Sequence, residues 1–463
     1  MLIVYLEEMK KAIYNLIINK KQTNITNIPE IVKKRRKCMK KRISRLVALG
    51  ISVVMCFSVV GCGADKKFEG DKTARKNGEK TELTIWVREQ MEDPITAAVK
   101  QYNEKQDEVK VNAVVYPDNE LTDQLTLALS SGNVPDLVSL DDILAPYYNS
   151  QHALADVTDK FNSLEFKDAF SKGMVELGEY DGKQYAIPFA PDVSVLFYNK
   201  EHFRQAGLDP EKGPETWTEL VEYSKKLTKD GQYGYTYNGG GGQMFTFVPF
   251  IWSNGGDLLS EDGKTCLLDQ PEAIEALQLY DDMTNKYKVT PEGVTTYSWS
   301  ESQDAFLSGK ASMTILGNSQ LYTFKTEYPD FDFGVSLIPK KDGKEHSSFG
   351  GGDLIAIMEQ SKNKEAAWDF AEYVLSEEVQ VELFAKNGLL PARTDLFDNP
   401  YFNEDDKYQV MQKALEVSRA SWSEKYNEMN QPIINATQSC LMQKKTAEEA
   451  FKTATEEINK IMK

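Results

Sequence analysis

After position 80 the chain alternates short apolar runs with stretches in which apolar residues recur at helical spacing. Three runs are typical of buried strands: 83–87, 109–116 and 136–140. Asp93 and Pro94 predict the N-cap and first turn of a helix after the first run, and Gly132 predicts the end of a second helix. This β-α-β-α-β order implies a parallel sheet, in which ligands bind beyond the carboxyl ends of the strands.

The same alternation continues toward the C-terminus. It predicts strands over 193–198, 311–316, 333–338 and 353–358. It predicts helices over 216–229, 271–287, 300–308 and 363–386, with a last helix capped by Thr446. Thr216 with Glu219, and Thr446 with Glu449, are predicted capping boxes. Strands and helices that alternate in this way predict an α/β fold of two lobes, each a sheet flanked by helices.

Charge separates a basic head from an acidic body. Of the 54 basic and 71 acidic residues, the first 61 positions hold 13 and 3, which leaves 41 and 68, and a net charge of −27, for the rest. The head has the character of a targeting segment, and the acidic body disfavours non-specific nucleic-acid binding. The 463-residue length exceeds one ordinary domain.

A basic stretch from Met39 precedes an uncharged run over 46–60, and Gly61 and Cys62 follow it. This order resembles the lipobox of bacterial lipoproteins, so Cys62 is the predicted lipidation site and 39–61 the signal peptide. We interpret 1–38 as an over-extension of the start site, with Met39 as the true start. Residues 62–80 are predicted to form a polar tether.

Little in the sequence points to covalent or metal chemistry. The three histidines, His152, His202 and His346, do not lie at metal-ligand spacing, and no catalytic arrangement can be assembled from them. We therefore expect no metal, no cofactor and no catalytic residue. Cys266 and Cys440 either form one bridge or are two unrelated buried thiols.

Several aromatic residues lie near segment ends, where a flat ring can pack on the apolar face of a sugar: Trp86, Phe189, Tyr198, Phe245, Trp252, Trp299 and Trp422. Trp217 and Trp368 fall within helical patterns and are predicted core residues. Tyr147 and Tyr148 are interpreted as surface packing in a loop.

Short motifs over most of 81–463 resemble family 1 extracellular solute-binding proteins, the receptors of carbohydrate ABC importers, which include maltose-binding protein. The matching fragments are 83–86, 134–138, 185–188, 198–200, 214–220, 254–256, 305–313, 349–352 and 390–393. The resemblance implies a type II periplasmic-binding-protein-like fold in which hinge segments join two lobes. Lobe one is then 81–190 and 355–400, and lobe two is 191–350 and 401–463.

The resemblance also implies ligand-binding positions in the cleft between the lobes. They are Arg88, Glu89, Gln90, Asp141, Asp142, Asp192, Gln243, Phe245, Trp252, Trp299, Ser319, Gly351, Gly352 and Trp422. Ser319 stands where many relatives have a tryptophan platform, and Trp252 or Trp299 could replace it.

The function implied is that of a monomeric, lipid-anchored receptor on the outer face of the cell membrane. It binds a sugar, expected to be an oligosaccharide, and delivers it to the permease subunits of an ABC importer. One alternative is a receptor of the same fold for a polyamine or another small solute, although Arg88, Gln90 and Gln243 favour a neutral ligand. A surface glycoside hydrolase or lyase is the alternative from another class.

Overall fold

The computed structural model describes residues 80–420 and 423–463, without the side chains of residues 118, 119 and 427. The strands are β1 Thr81–Arg88, β2 Val109–Tyr116, β3 Leu137–Asp141, β4 Glu179–Tyr180, β5 Lys183–Gln184, β6 Ala186–Asn199, β7 Met313–Gly317, β8 Phe333–Ser336, β9 Ser348–Ile357 and β10 Ser418–Arg419. The predicted signal peptide, the lipidation site Cys62 and the ligand position Trp422 lie outside the described residues.

Helices flank these strands in alternation. They are α1 Glu92–Lys105, α2 Asp118–Ser131, α3 Ala145–Ser150, α4 Thr158–Asn162, α5 Lys172–Leu177, α6 Lys200–Gln205, α7 Trp217–Leu227, α8 Gln243–Thr246, α9 Val248–Ser253, α10 Pro271–Asp281, α11 Trp299–Leu307, α12 Ser319–Glu327, α13 Lys364–Val374, α14 Glu377–Val379, α15 Pro400–Asn403, α16 Lys407–Glu416, α17 Tyr426–Leu441 and α18 Ala447–Ile461. Within the described ranges, none of these helices has the length and apolar character that crossing a bilayer requires.

The parallel sheet predicted from the first three strands is confirmed. Strand β1 pairs in parallel with β2 on one side and with β3 on the other. Helix α2 ends as predicted at Gly132, whose left-handed φ of 72° lets its N–H return to the Ala128 carbonyl. Because β1 and β3 are neighbours and parallel, their carboxyl ends at Arg88 and Asp141 lie at the same edge.

Strands β6 and β9 continue the sheet beyond β3 in the order β2-β1-β3-β9-β6-β7. They run antiparallel to each other from the Ala186–Ala356 pair to the Val193–Gly350 pair. Both strands are longer than the sequence predicts, because pairing extends β6 through Pro188 and Pro191 and β9 through three glycines. Strand β9 also pairs with β3, which places Asp353 directly opposite Asp141.

The buried apolar side chains form two sets. The first set draws on 83–190 and 354–392. The second draws on 193–349 and 385–458. Strand β6 contributes Ile187 and Phe189 to the first set and Val195 and Phe197 to the second, so it passes through both. The lobe boundaries implied by the resemblance remain a prediction; Phe397, assigned there to lobe one, packs in the second set.

Local predictions at helix ends are partly wrong. Helix α1 begins at Glu92, with Met91 at the cap, because a 3₁₀ turn over Glu89–Met91 leads directly into it; Asp93 lies in the first turn instead. The box at Thr216 is half formed: Thr216 accepts the Glu219 N–H, but the Glu219 carboxylate accepts the N–H of Glu215. The box at Thr446 and Glu449 is complete, as predicted.

Three side-chain predictions are settled by the structure. Tyr147 and Tyr148 lie in helix α3 rather than in a loop, and Tyr148 is fully buried, so a surface role is wrong for it. Trp217 and Trp368 are core residues as predicted. Cys266 and Cys440 are both buried and both free, which settles the open alternative in favour of two separate thiols.

Candidate functional site

Arg88 joins the carboxylates of two neighbouring strands. It is the last residue of β1, and its Nη1 lies 3.0 Å from Asp141 Oδ2 at the end of β3. The same nitrogen lies 3.3 Å from Asp353 Oδ2 in β9. The Asp353 side chain is 1% exposed and that of Arg88 12%, so this charge group is held in a largely dry environment.

Asp353 is the buried centre of the group. Its Oδ1 accepts a 2.7 Å hydrogen bond from Ser139 Oγ, and its Oδ2 accepts a second one, 3.1 Å long, from Gln90 Nε2. Asp353 is not among the site residues predicted from sequence, because its position directly after Gly350-Gly351-Gly352 marks it only as the start of a predicted strand. The run of glycines was the signal: it allows close approach, and a carboxylate follows it at once.

Asp142 lies beside this group and is fully buried. Neither of its carboxylate oxygens accepts a hydrogen bond from the described residues. Burial raises the pKa of Asp142 well above its ordinary value, and the carboxylates of Asp141 and Asp353 add to the effect, while Arg88 opposes it.

Asp192 brings a further carboxylate from β6. It is half-buried, it pairs with Gly351 across the sheet, and its Oδ1 accepts no hydrogen bond from the described residues. Burial raises the pKa of Asp192 to about 7; Arg88 lowers it, and Asp353 and Asp141 raise it further. Asp192 therefore lies within electrostatic reach of the Arg88 group.

A row of aromatic rings begins next to Asp192. A Cβ placed on Gly317 would lie 3.0 Å from Asp192 Oδ1 and 3.4 Å from Phe245 Cζ. The carboxylate and this ring therefore both lie next to the same glycine. The Phe245 centroid is 5.5 Å from that of Trp299 and 5.2 Å from that of Phe349. Phe349 is not among the predicted ligand-binding positions, and its ring centroid lies 6.5 Å from that of Trp252.

The second set of core residues covers the carboxylates. Tyr426, the first residue of α17, is buried, and burial together with nearby Asp141 and Asp142 raises its pKa. Ile143 packs against the cluster that contains Tyr426, although it follows β3. Ala420, just after β10, packs in turn against a cluster of the first set. Elements of both sets therefore meet at Asp141 and Asp142.

The two glycines among the predicted ligand-binding positions, Gly351 and Gly352, have different surroundings. Gly352 has a φ of 133°, and a Cβ there would lie 2.2 Å from the Ala190 carbonyl oxygen. A Cβ on Gly351 would instead lie 2.4 Å from Cε1 of Phe349. Only a residue without a side chain fits at 352 as the backbone stands.

The remaining predicted positions lie in varied places. Glu89 is exposed in the turn after β1, and Ser319 is exposed at the start of α12. Gln243 is buried and donates to the Gly239 carbonyl and to Thr437 Oγ1, so its amide faces helix α17. Trp252 is 4% exposed, and its indole N–H donates to Asp257.

Asp141 and Asp192, the accessible carboxylates of the group, lie beside an aromatic row and make a surface that accepts hydrogen bonds and packs on apolar ring faces. Within the described ranges, no group of three His, Cys, Asp or Glu side chains is arranged to hold a metal ion. The surface cavities of about 790 and 430 Å³ lie elsewhere, around Thr290 and around Tyr408.

Comparisons with known proteins agree with this architecture. Residues 88–381 match the family model described as "Bacterial extracellular solute-binding protein". A solute-binding protein from Thermotoga lettingae, solved with α-D-tagatose bound, is 27% identical with a TM-score of 0.75, covering 83% of this chain and all of that one.

Two curated proteins from other bacteria show similar identity. The arabinooligosaccharide-binding protein of Bacillus subtilis is 26% identical over 78% of this chain and 83% of its own. The sn-glycerol-3-phosphate-binding periplasmic protein of Escherichia coli is 25% identical over 73% of this chain and 81% of its own. The fold agrees with these comparisons: it is α/β with two lobes, and β6 and β9 join the two sets of core residues. The chain belongs to the family of bacterial extracellular solute-binding proteins.

Proposed function

We propose that the protein is an extracellular receptor that binds a sugar between its two lobes and delivers it to an ABC importer. The observation that carries this proposal is the meeting of Asp192 and the Phe245 ring at Gly317. A sugar has hydroxyls around its rim, which donate to carboxylates, and C–H faces, which pack on aromatic rings. The names of the tagatose-bound structure and of the arabinooligosaccharide-binding relative support the same ligand class.

The ligand-binding residues in this proposal are those around the carboxylates and the aromatic row. Asp141 and Asp192 bind and orient hydroxyls, and Phe245 and Trp299 pack on the ring. Asp353 and Ser139 are buried and hold Arg88 in place, because Ser139 donates to the Asp353 carboxylate that pairs with Arg88. Binding and release are the whole of the chemistry, and no bond of the sugar is broken.

The experiment is a thermal-shift screen followed by titration calorimetry. The panel contains tagatose, arabino- and malto-oligosaccharides and sn-glycerol 3-phosphate. A ligand at 100 times its Kd stabilises the folded state by about 2.7 kcal/mol, which is a clear rise in melting temperature. Asp192→Asn should reduce that rise. No shift with any carbohydrate, together with release of product from a glycan, would overturn the receptor proposal.

Anchoring by lipid is the second part of the proposal. It rests on the uncharged run over 46–60 with Cys62 directly after Gly61. Cells grown with a labelled fatty acid should incorporate the label into the protein, and Cys62→Ala should release unlabelled protein to the medium. Label that persists in Cys62→Ala would place the anchor elsewhere.

A further inference from the structure

We infer that the sugar bound here carries a positively charged amine, which binds beside Asp192 and Asp141; this inference rests on the proposed function as a sugar receptor. An amino sugar is a narrower ligand class than the sugars of the proposed function. Four observations carry it: the use of the existing donors, the charge balance, the carboxylate oxygens without partners, and the absence of a metal arrangement in the described ranges.

The donors that favoured a neutral ligand in the sequence are already engaged within the protein. Arg88 Nη1 contacts both Asp141 and Asp353. Gln90 Nε2 donates to Asp353, and Gln243 donates to Gly239 and Thr437. Arg88 Nη1, Gln90 Nε2 and Gln243 Nε2 are therefore engaged within the protein, whereas the oxygens without partners among the described residues at Asp142 and Asp192 are acceptors.

The charges at the site do not balance. The groups that act on Asp192 are Arg88, Asp353 and Asp141, and those that act on Asp142 are Asp141, Asp353 and Arg88. One guanidinium thus faces four carboxylates, and three negative charges are left over when all four are ionised. In a site with little water such an excess is costly, so each uncompensated carboxylate has to find a cation or take up a proton.

The two carboxylates whose negative charge is least compensated, those of Asp142 and Asp192, also have oxygens without a hydrogen-bond partner among the described residues. Asp142 has no exposed surface, and neither of its oxygens accepts a hydrogen bond from a described residue; the same holds for Oδ1 of Asp192. The two raised pKa values agree with this, because a carboxylate that lacks a cation holds its proton more tightly. An ammonium group supplies three donors and one positive charge together, whereas a hydroxyl supplies one donor and no charge.

The accessible members of the group define where the amine binds. Asp142 is closed off, while the Asp141 side chain is 29% exposed and Asp192 is half-buried. The Phe245 ring beside Asp192 accepts the sugar ring that carries the amine, since its negative face also attracts a cation. A metal ion is a poorer candidate, because the described acids are not arranged around a common point.

The same charges reject an anion. A phosphate placed at Asp192 and Asp141 would meet carboxylates in a site of low dielectric, and Arg88 is already shared by two acids. Although a relative binds sn-glycerol 3-phosphate, we expect this chain to exclude it.

The test uses the full chain in detergent and matched sugars. Calorimetry at pH 7 compares glucosamine, galactosamine and mannosamine, and their short oligomers, with the N-acetylated form of each. Spermidine and sn-glycerol 3-phosphate complete the panel. We expect one amine to bind about tenfold tighter than its N-acetyl form, and glycerol phosphate to be rejected. Asp192→Asn and Asp141→Asn should each reduce the ratio toward one, with folding checked by circular dichroism.

A charge-matched control is Glu378→Gln, which removes an exposed carboxylate paired with Lys105 and should keep the tenfold ratio. A neutral or N-acetylated sugar that binds as tightly as its amine overturns the inference and leaves the receptor function intact. Spermidine binding without any sugar binding overturns both and assigns the site to polyamines. No binding across this panel overturns the inference alone, because the receptor proposal is tested by the wider carbohydrate screen.

Discussion

The Arg88 guanidinium lies 3.3 Å from the Asp353 carboxylate, although 265 residues separate the two along the chain. The contact exists because β1, β3 and β9 are successive neighbours in one sheet. It shows how the fold brings a charge from the first strand to a carboxylate near the middle of a much later one.

We expect Arg88→Gln to lower the free energy of unfolding by about 3–5 kcal/mol, because it removes the cation that lies between the buried Asp353 and Asp141. Urea denaturation measures the loss. Adding Asp353→Asn should restore part of it. The exposed pair of Arg204 with Asp332 is the control, and Arg204→Gln should cost less than about 1 kcal/mol. Equal losses for the two arginine variants would contradict a buried role for Arg88.

The raised pKa of Asp192 predicts a pH dependence of stability. A carboxyl whose pKa rises from 3.8 in the unfolded chain to about 7 in the fold binds its proton more tightly when folded. That contribution is fully present below about pH 4 and is lost as the pH rises to about 7. The stability of the native protein relative to Asp192→Asn should therefore fall over this interval. Parallel curves for the two proteins would show that Asp192 does not titrate in this way.

Gly352 should not tolerate a side chain. Its φ of 133° is unfavourable for other residues, and a Cβ would lie 2.2 Å from the Ala190 carbonyl oxygen. We expect Gly352→Ala to cost about 2 kcal/mol or more in urea denaturation. A Cβ on Gly241 would meet no atom within 4 Å, and its φ is not unusual, so Gly241→Ala should stay within about 0.5 kcal/mol of the parent. A similar cost at both positions would rule out the steric explanation.

The two tryptophans Trp299 and Trp368 should separate binding from stability. Trp299 is partly buried at the end of the aromatic row, so Trp299→Ala should weaken sugar binding about tenfold and cost less in unfolding than Trp368→Ala. Trp368 is 4% exposed in the first core, so Trp368→Ala should cost about 3–5 kcal/mol and leave the affinity of the folded protein unchanged. Calorimetry and denaturation on both variants make the comparison, and the reverse pattern would remove Trp299 from the site.

Cys266 and Cys440 should resist alkylation in the native protein. Both are buried, and burial raises the pKa of the Cys440 thiol to about 12 and that of Cys266 in the same direction. The thiolate is the reactive form and is therefore scarce. Mass spectrometry after iodoacetamide treatment should find both unmodified until urea unfolds the chain. A disulfide-linked peptide containing the two would contradict their assignment as separate thiols.

The sequence was informative where the local pattern and the final environment agree. Strand β2 is found over the predicted 109–116, since its apolar run needs no distant information. Strands β6 and β9 were underestimated, because prolines and glycines within them weaken a local strand pattern. Their extent is set by pairing between segments about 160 residues apart, as in the Asp192–Gly351 pair, which a local pattern does not carry.

The residues of the candidate site also differ in whether the sequence alone can predict them. Arg88 and Asp141 could be proposed from sequence because they end parallel strands, and the structure places them 3.0 Å apart. Asp353 and Tyr426 could not be proposed from sequence. The pairing register of β3 with β9 places Asp353 opposite Asp141, and a helix of the second core places Tyr426 near Asp141. Asp142 was named for its position, but its lack of hydrogen-bond partners within the described structure only becomes visible once its neighbours are known.

Because β6 and β9 pass through both cores, neither lobe can be separated from the other, or exchanged by recombination, at a single point in the chain. The first core needs 83–190 together with 354–392, and the second needs 193–349 together with 385–458. No single break in the chain yields a fragment that contains all of one core and none of the other. A recombination event that exchanged one lobe would need three crossovers, two of them inside the paired strands next to the ligand-binding residues.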